Sequence, residues 1–224
     1  MSQTFLSIGS GPGIGFATAL RFGREGYDVV LSSRDATRLA KQAEQLAVLG
    51  INVRAFAIDA TNPAAVAELV ASIGNDLHVL HYNAAVLHYD ALQNLKARTI
   101  DDESISSIER DMQVNVTSAV VAVQSALPAL RAKGTGSVLL TGGGFGVYPN
   151  ADFLNLSIGK AAIRATTQAL FSQLKEEGVH VATVTVSTLV SPDSPQADGV
   201  AQAFWDLHAQ EKEQWDWEAI YPAS

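Results

Sequence analysis

The strongest constraint on the fold is a rhythm in the chain. Apolar, β-branched runs alternate with longer amphipathic runs along nearly all of its 224 residues. Such alternation is what βαβ units around a parallel sheet require, because each strand is buried on both faces and each crossover helix needs one apolar stripe. Strands are expected near Thr4–Ile8, Asp28–Ser32, Asn52–Ile58, Leu77–Tyr82, Ser137–Thr141 and Val179–Val186, with helices between them and a short edge strand near Glu218–Tyr221. Pro63 after Thr61-Asn62 has the form of a capped helix start, and Gly26, Gly50 and Gly178 stand where helices should stop. Asp101-Asp102-Glu103 puts acid at the start of a long helix expected to run from about Asp102 to Arg131. The sum is one doubly wound α/β domain of Rossmann type over residues 1–224, with six to seven parallel strands and helices on both faces. Residues 187–210, containing Pro192, Pro195 and Gly199, are expected to form a mobile substrate-side loop and a short helix.

Directly after the first strand stands Gly9-Ser10-Gly11-Pro12-Gly13-Ile14-Gly15, followed by a helical run. Glycines between a strand and a helix let the backbone approach a pyrophosphate, whose charge sits at the helix N-terminus. The GxGxxG spacing fails from either start, whereas Gly9-x-x-x-Gly13-x-Gly15 fits. Candidate cofactor contacts here are Gly9, Ser10, Gly11, Gly13, Ile14 and Gly15. The second strand ends Leu31-Ser32-Ser33-Arg34. An acid at this place would bind the adenine ribose hydroxyls, whereas an arginine accommodates a 2′-phosphate. Ser33 and Arg34 therefore favour NADP(H) over NAD(H).

With these landmarks the sequence resembles the short-chain dehydrogenase/reductase family over nearly its whole length. Asp59, with Ala60 beside it, resembles the family's adenine-contacting Asp, and Asn83-Ala84-Ala85 resembles its Asn-Asn-Ala-Gly segment. Asn115 and Lys160 fall where the family has the Asn and Lys of its catalytic tetrad. The resemblance implies a Tyr four residues before the Lys and a Ser at the end of the preceding strand, but these positions hold Leu156 and Gly143. None of the five tyrosines stands four residues before a lysine, and Val186-Ser187 replaces the family's Pro-Gly. Leucine moves no proton. A positioned acid or base contributes on the order of 10²–10⁴ in rate, about 3 to 5 kcal/mol of barrier. Possible substitute donors are Tyr148, beyond the glycine-rich Gly142–Gly146 loop, and His88, beside Tyr89; Thr141 could stand in for the Ser only for a deeper substrate. The expected activity is therefore that of an oxidoreductase on a small carbonyl or alcohol with a nonstandard proton path; the alternative is an inactive NADP(H)-binding sensor or scaffold. The resemblance also implies a homodimer or homotetramer built on the helices at about 102–131 and Leu154–Glu176.

Composition removes other classes. The formal charge of −8 argues against a nucleic-acid partner, and the absence of cysteine excludes disulfides and thiolate sites while being compatible with a reducing compartment. No apolar stretch is long enough to span a membrane and no signal peptide is read, so a cytoplasmic protein is expected. His78 and His81 alternate on one strand and point to opposite faces, which argues against a shared metal, and no metal site is expected. No GxSxG elbow occurs, and Ala161 after Gly159-Lys160 breaks a phosphate-loop reading. Trp205, Trp215 and Trp217 are expected in packing or an oligomer contact.

Overall fold

The computed structural model describes residues 3–91 and 95–222; residues 1–2, 92–94 and 223–224 of the expected domain lie outside the described residues. Seven strands form one sheet: β1 (Thr4–Ile8), β2 (Asp28–Ser33), β3 (Val53–Ala57), β4 (Leu77–Tyr82), β5 (Ser137–Thr141), β6 (His180–Val186) and β7 (Glu218–Tyr221). Every neighbouring pair is parallel, in the order β3-β2-β1-β4-β5-β6-β7. The order reverses between β1 and β4, so the carboxyl ends of these strands open the crevice where a doubly wound sheet receives a ligand.

Among the described residues seven α-helices flank the sheet: α1 (Ile14–Arg24), α2 (Ala36–Val48), α3 (Pro63–Ile73), α4 (Ile105–Met112), α5 (Ser118–Lys133), α6 (Leu154–Glu176) and α7 (Pro195–His208). Alternate strand residues feed two cores, as the two-residue period dictates. Leu6, Ile8, Leu80 and Leu140 pack with Leu69 of α3, Val123 of α5 and Ile163 of α6. Phe5, Leu31, Val79 and Leu139 pack with Phe22 of α1, Leu46 of α2 and Phe204 of α7. Asn62 caps α3 by accepting from the amides of Ala64 and Ala65, with Pro63 in the first turn.

Two expectations are corrected. The helix expected from about Asp102 to Arg131 is divided into a short 3₁₀ turn at Ile100–Asp102, α4, a π-turn at Gln113–Thr117 and α5. A π-turn inserts one residue without disturbing the apolar pattern on either side, so periodicity cannot see it. β3 and β6 are shorter than expected, and β2 extends one residue further, to Ser33. Within 187–210 the helix is α7 at residues 195–208, whose Val200 and Phe204 are fully buried, and residues 187–194 and 209–210 are irregular. The edge strand at Glu218–Tyr221 is present. The tryptophans pack inside the chain: Trp205 meets Phe22 edge-on, Trp215 stacks on His180 and Arg164 lies over Trp217. Among the described residues no helix is long and apolar enough to cross a membrane.

Candidate active site

The glycines after β1 fall into two kinds. A Cβ on Gly9, whose φ is +88°, would lie 2.4 Å from the Ala84 amide nitrogen, and one on Gly15 would lie 2.5 Å from the Gly9 carbonyl oxygen. Packing within the protein demands both. A Cβ on Gly11 or Gly13 would meet nothing closer than 4.0 or 3.9 Å, so the protein itself has room for side chains there. That open cradle faces the start of α1, where Gly13 is the N-cap without any side-chain cap; Phe16 N already donates to Gly11 O and Ala17 N to Gly13 O, which leaves the amides of Ile14 and Gly15 to face it. Such a terminus favours an anion.

Ser10 is buried, its hydroxyl donating to Ser7 O and accepting from Ser32 N, which ties β1 to β2 and turns the side chain away from the cradle. At the end of β2 the Ser33 hydroxyl is buried without a partner. Arg34 is exposed and has no hydrogen-bond or ion-pair partner among the described residues. The neighbouring acid is already engaged: Asp35 caps α2 through the Arg38 amide and pairs with the Arg38 guanidinium at 3.0 Å. Asp59 is exposed, one oxygen accepting from Thr61 N, and Ala60 is buried with its carbonyl taken by Ser118 Oγ.

A polar chain crosses the carboxyl ends of the central strands. Asn83 Nδ2 donates to Gly9 O at 2.8 Å, Thr141 Oγ1 donates to Asn83 Oδ1 at 2.9 Å, and His81 Nε2 lies 3.1 Å from Thr141 Oγ1. Since Thr141 uses its proton on Asn83, His81 must donate through Nε2, which leaves Nδ1 facing Ser7 Oγ at 3.5 Å. Burial, with the positive charge of Lys160 as a smaller cause, pushes the His81 pKa down to about 3. Neither Asn83 nor Thr141 is therefore free to bind a substrate; both fix the glycine loop to the sheet. Sequence reading missed this chain, although a histidine within an otherwise apolar buried strand is the signal that marks it.

The π-turn carries Asn115 inward, to 4% exposure. Its Oδ1 accepts from Val86 N at 2.8 Å, while Nδ2 is buried without a partner. Gly159 permits this approach, since a Cβ there would lie 2.6 Å from Asn115 Cβ. Lys160, one residue on in α6, donates from Nζ to Thr141 O at 2.7 Å. Its stem crosses Gly143, where a Cβ would meet Lys160 Cγ, Cδ and Cε at 3.2 to 3.3 Å. The lysine thus crowds the place a serine side chain would take. Burial lowers its pKa to about 8.

Asn115, Lys160 and Leu156 line one cavity together with Ala84 and Ala85. Leu156 also lines an adjoining cavity, bounded by His88, Asp111 and Arg98. Tyr148 is not brought to either: it is 80% exposed beyond the 3₁₀ turn Gly144–Gly146. His88 does line the second cavity, with Nε2 3.7 Å from Asp111 Oδ2. His88, Glu103 and Asp111 have potential ligand atoms within 4.8 Å of one another. Arg98 and Arg110 already hold the two carboxylates, so a divalent cation would meet two guanidinium charges. Asp111 was not singled out in the sequence, although it stands four residues before Asn115 and so on the same helical side.

Comparison with known proteins agrees with the geometry. A family model described as short chain dehydrogenase matches residues 3–196. The 2,5-dichloro-2,5-cyclohexadiene-1,4-diol dehydrogenase LinX of Sphingobium indicum is 26% identical over 191 residues, covering 84% of this chain and 73% of that protein. An uncharacterized oxidoreductase of Streptomyces coelicolor is 31% identical over 202 residues, covering 88% and 76%. A metagenomic short-chain oxidoreductase solved in complex with NADP superposes with a TM-score of 0.86 at 20% identity, covering 98% and 97% of the two chains.

Proposed function

The chain belongs to the short-chain dehydrogenase family, and on that footing we propose that it is a cytoplasmic, NADP(H)-dependent oxidoreductase acting on a small carbonyl or alcohol by a proton path without the family's tyrosine. The observation that carries this reading is the end of β2: an unpartnered Arg34 and an orphaned Ser33 hydroxyl, with the adjacent Asp35 turned onto its own helix. A ribose 2′-phosphate satisfies both groups, whereas NAD(H) would leave the guanidinium without a counter-charge. The open cradle at Gly11 and Gly13, with the α1 amides behind it, fits a pyrophosphate. When bound, the nicotinamide supplies or accepts the hydride. Asp59 and Ala60 would border the adenine, Asn83, Ala84 and Ala85 would border the path toward the nicotinamide, and Lys160 would bind the ribose once it leaves Thr141. The Asn115 Nδ2 proton is a free donor in the same cavity. A ring alcohol or ketone is the substrate class suggested by the name of the LinX relative.

Leu156 and Gly143 favour one other reading, an NADP(H)-binding sensor or scaffold without turnover. In either case a homodimer or homotetramer is proposed, using the exposed apolar Ile105, Val120 and Ile158 of α4, α5 and α6. Titrating NADPH and NADH by fluorescence tests the shared part. NADPH is expected to bind roughly ten-fold or more tightly than NADH, and no binding at on the order of hundreds of micromolar would overturn both readings.

A further inference from the structure

We propose that His88 and Asp111 form the acid–base pair that replaces the missing tyrosine, with His88 as the catalytic residue and Asp111 as its positioning residue. The inference rests on the oxidoreductase reading above. Both side chains line the cavity whose wall Leu156 also forms, so the imidazole borders the space a tyrosine at 156 would have served. Asp111 is 2% exposed and held from two sides: Asn155 Nδ2 donates to Oδ2 at 3.0 Å, and Arg110 donates to Oδ1. His88 turns Nε2 toward that fixed Oδ2 at 3.7 Å, and Nε2 is buried with no hydrogen-bond partner. An N–H directed at a carboxylate fixes the ring and stabilises the imidazolium, the arrangement in which a histidine acts as acid or base. Catalytic hydrogen bonds are often long without substrate and tighten in its complex. Nδ1 has no partner among the described residues and is the nitrogen left for the substrate.

In the reducing direction the carbonyl carbon gains a hydride from the reduced nicotinamide cofactor, which becomes the oxidised form. The C=O π pair moves onto oxygen, the imidazolium Nδ1–H bond breaks and the O–H bond of the alcohol forms. His88 is left neutral, Asp111 stays a carboxylate, and solvent reprotonates the ring. The charged groups around the pair are Asp111 and Arg110 on α4, Glu103 with Arg98 on the preceding segment, Lys96, whose amide donates to His88 O, and Asp152, which lines the same cavity.

Two measurements test the pair. The first reads the His88 ring nitrogens by NMR in the cofactor-free protein: Asp111→Asn should move the Nε2 resonance, and an unmoved resonance would overturn the pairing. The second follows NADPH oxidation with cyclohexanone as probe. His88→Asn should lower kcat by on the order of 10²-fold or more at an unchanged NADPH Kd. Asp111→Asn should lower kcat at an unchanged NADPH Kd, and Asp111→Glu should restore part of it. Wild-type turnover with His88→Asn within about three-fold of it would overturn the pair and leave the oxidoreductase reading standing. No wild-type turnover would overturn the pair and the oxidoreductase reading, leaving NADPH binding as the separate test of the nucleotide site.

Discussion

Acid should unfold this protein through a residue that also holds its glycine loop in place. His81 is fully buried between Ser7 and Thr141 and titrates at about 3, held there by burial and secondarily by Lys160. An unfolded histidine titrates at about 6.5. The folded pKa is depressed, so below about 6.5 the unfolded state binds a proton that the folded state refuses. The stability contribution is therefore complete above about pH 6.5 and is lost as the pH falls toward 3. Between about pH 7 and about pH 4.5 the loss from this one group comes to about 2.5 kcal/mol, a large part of a typical domain's stability. Urea denaturation of wild type and of His81→Gln at both pH values measures it. The wild type should lose about 2.5 kcal/mol more than the variant on acidification. Equal losses would show that His81 takes up a proton readily in the fold, and the neutral Nε2-donating chain to Thr141 and Asn83 would be wrong.

The two kinds of glycine predict opposite phenotypes. Gly15→Ala should destabilise by about 2 kcal/mol, because its Cβ has no room; Gly13→Ala should melt like wild type yet bind NADPH roughly ten-fold more weakly, and equal behaviour of the two would refute the distinction. Ser33→Asp with Arg34→Ala should move preference toward NADH by roughly ten-fold, as read by paired Kd values; an unchanged ratio would remove the β2 end from cofactor choice. Leu156→Tyr with Gly143→Ser should raise ketone reduction by on the order of 10²-fold, provided the serine displaces the Lys160 stem. No gain would mean that the site has departed further from the family than these two positions.

The sheet was legible because its signal is redundant: strand after strand of β-branched residues, with Asn62-Pro63 and Gly178 marking helix ends. The glycine loop between β1 and α1 was legible too, since glycine pattern and position agree. What the sequence hid is local geometry. One extra residue in the π-turn puts Asn115 inside, and a register pattern is blind to it. Thr141 read as a possible serine substitute, whereas its proton goes to Asn83; the partner lies 58 residues away. Ser10 sits in the right loop with its hydroxyl turned the wrong way for a ligand. The Lys160 stem folded over Gly143 joins two positions that looked like separate matters, one retained and one lost.

An oxidoreductase on this fold must transfer hydride without the family's tyrosine. The most direct test is incubation of the wild-type protein with cyclohexanone and NADPH carrying deuterium at the transferable C4 position, with the cyclohexanol analysed by mass spectrometry. The cyclohexanol should carry one deuterium on its carbinol carbon, with an equal amount of NADP formed. Cyclohexanol no more abundant than in a protein-free control, from protein that binds NADPH, would contradict it and leave a nucleotide-binding protein without turnover.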